Sequence, residues 1–181
     1  MPDRFIPDEY HDTYREITPE HLAQLGIRGL ICDIDNTLVT YDDPEPTPAV
    51  RNWMEGLASR GIAVAFVSNN DRERVERFCA GTDCFYAWKS GKPGGRELRR
   101  AMEYMKTDPE TTALLGDQIF TDIYAGKRLG LRCFLVKPIR DKRSLFFRMK
   151  RFFEIPVLRR YARRHGEAYR PNIVRCSSVQ E

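Results

Sequence analysis

Short apolar runs alternate with amphipathic segments along most of the chain. The runs are of strand length, each ends at polar or turn residues, and they cover residues 29–32, 62–67, 84–88, 111–117 and 133–136. Segments with helical periodicity or helix-capping residues lie before or between them, at residues 18–26, 49–60, 72–80, 96–106 and 122–129. Apolar strands that alternate with helices are typical of a parallel sheet covered on both faces. The pattern therefore predicts an α/β fold.

The N-terminal residues 1–28 contain the first predicted helix. Thr18 is a good N-cap, Pro19 occupies the first helical position, and Gly26 closes the helix. We interpret this segment as a packing element that leads into the first strand. His11 and His21 are expected to be surface or helix residues rather than ligands, because the sequence shows no cluster of partners around them.

Charge is distributed unevenly along the 181 residues. The net charge of +4 combines an acidic excess in residues 1–136 with 13 Lys and Arg against 4 Asp and Glu in residues 137–181. We therefore expect a folded domain at 1–138 and a basic extension at 139–181. The hydrophobic content of 41% is that of a globular protein.

Neither the N-terminus nor the cysteines indicate secretion. Residues 1–10 lack a basic start followed by an apolar core, and no stretch approaches the roughly 18 apolar residues of a membrane span. The cysteines are odd in number and form no Cys-x-x-Cys pair, at Cys32, Cys79, Cys84, Cys133 and Cys176. We predict reduced thiols in a cytoplasmic protein without a zinc site.

Residues with catalytic potential stand at the ends of four predicted strands. They are Asp33 and Asp35 after the first strand, Ser68 after the second, Lys92 after the third, and Asp117 and Asp122 after the fourth. Open α/β sheets bind ligands at the carboxyl ends of their strands, and paired carboxylates suit a divalent cation. The sequence therefore places one polar site at that edge of the sheet.

These motifs do not fit two common ligand-binding loops. A calcium loop of the EF-hand type needs Gly at its sixth position and Glu at its twelfth, where Leu38 and Pro44 stand. A nucleotide-binding P-loop needs Ser or Thr after Lys92, where Pro93 stands. A remaining alternative is that Asp33 and Asp35 merely end a strand and cap the next segment.

The motifs, taken in order, resemble those of a known enzyme superfamily. Asp-Ile-Asp-Asn-Thr-Leu, Ser-Asn-Asn, Gly-Lys-Pro and Gly-Asp-Gln-Ile-Phe-Thr-Asp look like the four motifs of the haloacid dehalogenase-like (HAD) phosphotransferases. The last form is similar to the uncapped class IIIA subgroup, the YqeG-type phosphatases, whose relatives include the mitochondrial phosphatidylglycerophosphatases. The resemblance implies a three-layer Rossmann-like fold with a central parallel sheet and no cap domain.

The resemblance also implies a role for each carboxylate. Asp33 would be the nucleophile that forms an aspartyl-phosphate, and Asp35 the general acid and base. Mg²⁺ would be held by Asp33, the backbone carbonyl of Asp35, and Asp117. Asp122 is left open between an outer-shell role at the metal and capping of the following helix.

The remaining motif residues would contact phosphate. Ser68 and Lys92 would stabilise the oxygens of the transferred group. Asn69 is left open between a phosphate ligand and a helix cap. The intervals from Asp35 to Ser68 and from Ser68 to Lys92 are filled by a loop, a helix and a strand, so a cap domain has no room.

An uncapped site suits a phosphate displayed on something large. Together with the resemblance, this favours dephosphorylation of phosphatidylglycerophosphate to phosphatidylglycerol at a membrane surface. The alternatives are a phosphatase of phosphoproteins or nucleic-acid ends, and a protein with vestigial catalysis that binds membrane or RNA.

The basic extension carries the expected membrane contact, over residues 144–165. One helical face of its first part is apolar, at Leu145, Phe146, Met149, Phe152 and Phe153, and Pro156 is predicted to interrupt the helix. A basic amphipathic helix with phenylalanines is typical of a protein that lies on an anionic membrane. Packing on the domain or on a partner and binding of RNA remain alternatives. We expect a cytoplasmic protein that is peripheral at the inner membrane face.

Overall fold

The structure is a computed structural model that describes residues 3–140 and 145–166, and side chains at 3–140 and 153–166. The chain divides near residue 142 into two compact units, which are described separately. The first unit contains a sheet, and the described residues of the second form one long helix.

The sheet has six strands, all parallel to their neighbours. Their bounds are β1 Glu9–His11, β2 Gly29–Cys32, β3 Ala63–Val67, β4 Phe85–Ala87, β5 Thr112–Gly116 and β6 Arg132–Val136. Across the sheet they follow the order β1-β6-β5-β2-β3-β4. Cys32 at the end of β2 is in register with Phe66 of β3 and Leu115 of β5, so the carboxyl ends of these three strands lie side by side.

Five helices connect the strands. They are α1 Pro19–Gln24, α2 Pro48–Ser59, α3 Arg72–Cys79, α4 Arg96–Met105 and α5 Tyr124–Arg128. Thr18 and Thr47 cap α1 and α2, since each side-chain oxygen accepts a hydrogen bond from the backbone N–H three residues later. The predicted helix at 122–129 is composite, because a π-helical turn at Ile119–Ile123 precedes α5.

The helices cover both faces of the sheet. Strand residues alternate between faces. Leu30 and Phe66 belong to one buried cluster with Leu22, Val50 and Phe78 from α1, α2 and α3. On the other face, Gly126 of α5 packs so closely on Cys133 and Leu114 that a Cβ there would lie 2.5 Å from the cysteine Sγ. The α/β class and the parallel sheet predicted from the sequence are therefore confirmed.

Strand β1 was not predicted. It pairs with β6 at one side of the sheet, with Glu9 opposite Phe134. The strand also brings together two histidines that were expected to have no cluster of partners. Nε2 of His11 lies 3.0 Å and Nε2 of His21 2.7 Å from the same Glu9 oxygen, and Nδ1 of His11 lies 3.2 Å from Glu16. The expected absence of a partner cluster is therefore wrong, because the segment between β1 and α1 folds so that His21 returns to Glu9.

The second unit contains helix α6, Leu145–His165. The helix continues through Pro156, so the predicted interruption is wrong. Side chains spaced three and four residues apart are buried, at Glu154, Val157, Leu158, Tyr161 and Ala162, whereas Phe153 is 54% exposed. The side chains predicted to form the rest of the apolar face, at residues 145–152, and Cys176 lie outside the described residues. Within the described chain, no helix is both long and apolar enough to cross a membrane.

Candidate active site

The segment after β2 turns sharply and buries two aspartates. The backbone N–H of Asp33 still donates to Leu115 of β5, at 2.9 Å, so this residue continues the sheet. Beyond it, the N–H groups of Leu38 and Val39 return to the carbonyl of Ile34, at 3.0 and 3.3 Å. Asp33 and Asp35 are 7% and 4% exposed. The turn thus presents both carboxylates at the carboxyl edge of the sheet.

Lys92 contacts two of the predicted carboxylates. Its Nζ lies 2.7 Å from Oδ1 of Asp33 and 2.6 Å from Oδ1 of Asp122, and the lysine is buried. Asn69 fixes the loop that carries it: the Asn69 Oδ1 accepts from the Lys92 N–H at 2.9 Å and from the Ser90 hydroxyl at 2.8 Å. The Asn69 amide also donates to the carbonyl of Lys92, at 3.1 Å. Asn69 therefore positions the lysine.

Asp122 lies directly over the end of β5. Its Oδ2 accepts from the N–H of Gln118 at 3.1 Å, at the start of the π-helical turn, and its Oδ1 faces Lys92. Asp122 does not cap α5, whose N-cap is Ile123 without a side-chain hydrogen bond, so its carboxylate contacts the start of the turn on one side and the site on the other. A Cβ on Gly116 would lie 2.4 Å from the Asp122 Cβ. Glycine is required there because the side chain of Asp122 occupies the space.

Three buried carboxylates form a cluster that fits a divalent cation. Asp33, Asp117 and Asp122 each offer an oxygen, and these oxygens lie within 4.8 Å of one another. Burial, and then repulsion by Asp122, raise the pKa of Asp33 to about 7 although Lys92 opposes the rise. The two carboxylates raise the pKa of Lys92 despite its burial. An all-oxygen site with excess negative charge suits a hard cation such as Mg²⁺.

Asp35 faces a different set of partners. Its Oδ2 accepts from the side-chain amide of Asn70 at 3.0 Å, and its Oδ1 from Nε of Arg74 at 3.1 Å. Ser68 is buried, and its hydroxyl oxygen accepts from the Asn70 N–H at 3.0 Å. Helix α3 is capped by Asp71, whose Oδ1 accepts from the N–H of Arg74 at 2.9 Å, and not by Asn69.

The structure gathers all of the predicted site residues at one edge of the sheet, in two groups. Lys92 links two of the three clustered carboxylates, Asp33 and Asp122, to the Asn69 loop, whereas Asp35 turns toward α3. The sequence analysis missed the contacts that Asn70 and Arg74 make with Asp35. Arg74 stands in a run of charged residues whose pattern is that of a solvated helix, and no local signal distinguishes it from its neighbours.

The fold is an α/β fold with a carboxylate-rich site at the carboxyl edge of a parallel sheet. The family model for haloacid dehalogenase-like hydrolases matches residues 20–130, and the chain belongs to that family. The chain is 36% identical over 154 residues to the probable phosphatase YqeG of Bacillus subtilis (strain 168), a match that covers 85% of this chain and 90% of that protein. The family and the relative identify this protein as a phosphatase.

Solved structures share the fold. NagD from E. coli K-12 superposes with a TM-score of 0.50 and 17% identity, over 61% of this chain and 87% of that one. A putative beta-phosphoglucomutase from Thermotoga maritima superposes with a TM-score of 0.51 and 15% identity, over 66% of this chain and 90% of that one. The resemblance predicted from the four motifs is thus confirmed at the level of family and fold.

Proposed function

We propose that the protein is a Mg²⁺-dependent phosphomonoester hydrolase that works through an aspartyl-phosphate on Asp33. The observation that carries this proposal is the buried cluster of Asp33, Asp117 and Asp122 with Lys92 between two of them. Asp33, Asp117 and the backbone carbonyl of Asp35 would hold the cation, with Asp122 in its outer shell. Bound Mg²⁺ would offset the negative charge that separates the nucleophile from the phosphoryl group.

The residues of the chain account for both half-reactions. A carboxylate oxygen of Asp33 forms a bond to phosphorus as the ester P–O bond breaks, and Asp35 gives a proton to the leaving oxygen. Asp35 then takes a proton from water, whose oxygen attacks the same phosphorus and releases inorganic phosphate and the free Asp33 carboxylate. Lys92 and Ser68 would stabilise the phosphoryl oxygens, and Asn69 supports this set through the Lys92 loop.

For the substrate, we propose phosphatidylglycerophosphate at the inner membrane face. In the described part of the chain, a loop and α2 follow β2, and a turn and α3 follow β3, so neither connection carries an inserted domain. Trp88, directly after β4, is 37% exposed, and the guanidinium of Arg72 lies 5.0 Å from its ring centroid. A cation beside an exposed indole suits the headgroup region of an anionic membrane. The basic composition of residues 137–181 supports the same location.

The test is release of phosphate from phosphatidylglycerophosphate in mixed micelles, beside a soluble aryl phosphate, a phosphopeptide and a 5′-phosphorylated oligonucleotide. Wild type is compared with Asp33→Asn and with Asp83→Asn, a matched change at an exposed aspartate. We expect Mg²⁺-dependent turnover with strong preference for the lipid, abolished by Asp33→Asn alone. Preference for the peptide or the oligonucleotide would refute the substrate assignment, and activity in Asp33→Asn would refute the mechanism.

A further inference from the structure

The side chain of Arg74 connects three parts of the catalytic edge. Its Nε and Nη2 lie 3.1 and 3.0 Å from Oδ1 of Asp35. Nη1 donates to the carbonyl of Pro44 at 2.9 Å, and Nη2 points to the carbonyl of Thr40 at 3.4 Å. The guanidinium carbon also lies 5.8 Å from the ring centroid of Phe78. One planar group therefore holds the carboxylate and the loop that comes after it.

The ion pair is shielded from water. The side chain of Arg74 is 13% exposed and that of Asp35 is 5% exposed. Most arginines in surface ion pairs contribute little because solvent screens them and their side chains are mobile. Arg74 differs because the backbone of its own residue is fixed by the Asp71 cap and its guanidinium is fixed by carbonyl acceptors.

The direction of the Asp35 carboxylate is set from outside its own loop. Arg74 contacts one oxygen, and the amide of Asn70 contacts the other. Both partners belong to the segment after β3, which is distant from Asp35 in sequence and meets it through these side-chain contacts. The backbone hydrogen bonds of the turn after β2 fix the main chain around Asp35, whereas these two side chains fix its carboxylate.

We infer that Arg74 is a positioning residue that holds the Asp35 carboxylate in place for proton transfer. The inference rests on the proposed role of Asp35 as general acid and base. An arginine suits this task because its planar fork reaches acceptors in different directions at once, whereas the ammonium of a lysine is a compact point charge. Arg74 itself does not touch the phosphoryl group in this scheme.

Leaving-group dependence tests the inference. A simple alkyl phosphate needs a proton on its departing oxygen, whereas an activated aryl phosphate such as p-nitrophenyl phosphate departs as a stable anion. General acid catalysis contributes roughly 10²- to 10⁴-fold to a rate. We expect Arg74→Gln to lower kcat/KM for the alkyl ester by roughly 10- to 100-fold and for the aryl ester by less than about threefold, because kcat/KM reports formation of the aspartyl-phosphate and not the attack by water that both esters share.

Two further variants separate positioning from a general structural effect. If Arg74 acts through Asp35, then Arg74→Gln added to Asp35→Asn should cause no further loss with the alkyl ester, since residues acting as one unit are not additive. Arg74→Lys retains the charge but not the planar fork, and we expect it to show the same leaving-group pattern. Arg77→Gln, at an exposed position of the same helix, is the control and should leave both rates unchanged.

Each outcome decides between the hypotheses. Equal losses in kcat/KM with both esters, or losses that add in the double variant, would overturn the inference for Arg74. If Asp35→Asn is sensitive to the leaving group and neither Arg74 variant is, the inference fails while the proposed function stands. If Asp35→Asn shows no such sensitivity, the proposed role of Asp35 fails, and the inference fails with it.

Discussion

Replacement of Asp33 by Asn should stabilise the metal-free protein at neutral and alkaline pH. The folded site raises the pKa of this carboxyl from 3.8 to about 7, first through burial and then through repulsion by Asp122. The folded state therefore binds the proton more tightly than the unfolded state does. Stability is lost as the pH rises from about 4 through about 7, where the folded carboxyl ionises at a cost that the unfolded carboxyl does not bear.

The size of the effect follows from the two pKa values. A shift from 3.8 to about 7 corresponds to about 4 kcal/mol in the free energy of unfolding at about pH 8. Asn imitates the neutral carboxyl and removes this cost, while Asp122 remains as a partner of Lys92. We therefore expect the free energy of unfolding of Asp33→Asn to exceed that of wild type by about 2 to 4 kcal/mol at about pH 8, and by less than about 1 kcal/mol near pH 4.

Denaturant unfolding in the presence of a chelator measures the free energy of unfolding of wild type and Asp33→Asn across this pH range. Saturating Mg²⁺ should then stabilise wild type at about pH 8, because a ligand that binds the folded state shifts the folding equilibrium toward it. The difference in stability between wild type and Asp33→Asn should become smaller. Asp83→Asn, the same change at an exposed position, should not reproduce the gain in stability of Asp33→Asn at about pH 8. A wild type that is more stable than Asp33→Asn at about pH 8, or a difference that does not change with pH, would refute the account of the site as overcharged.

Further predictions concern the supports of the site. Asp117→Asn should raise the Mg²⁺ concentration needed for half-maximal activity by about 10-fold or more, as titration of activity with Mg²⁺ would show, because it removes a charged oxygen ligand. Gly116→Ala should displace Asp122 and lower kcat by at least about 10-fold, whereas Gly56→Ala, whose Cβ would lie 3.7 Å from its nearest neighbour, should not. Asn69→Ala should lower kcat through misplacement of Lys92 with a loss of about 1 to 3 kcal/mol in stability, measured by steady-state kinetics and thermal unfolding.

The sequence was sufficient for the elements that carry a strong pattern. The strand that ends before Asp33 is a run of apolar residues, and the structure has it at Gly29–Cys32. The capped start of α1 is likewise where Thr18 and Pro19 indicated. The location of the site was also predictable, because parallel strands place their carboxyl ends at the same edge of the sheet.

Other features depended on contacts between distant segments. Strand β1 is three residues long and has no continuous apolar run, so its only identifying feature is its pairing with β6. The contacts of Arg74 depend on acceptors at Asp35 and Pro44, which lie 39 and 30 residues earlier in the chain. Asn69 could be recognised as a support of Lys92 only once the two loops were seen side by side.

The two outermost strands of the sheet, β1 and β4, are each three residues long. An edge strand leaves a row of unpaired backbone N–H and C=O groups that another chain can pair with, and a short edge strand offers few such groups. Glu9 and His11 of β1 add charged and polar side chains to that side. The dimensions of these two strands therefore protect the sheet against strand addition and aggregation, a property that lengthening either strand with apolar residues would remove.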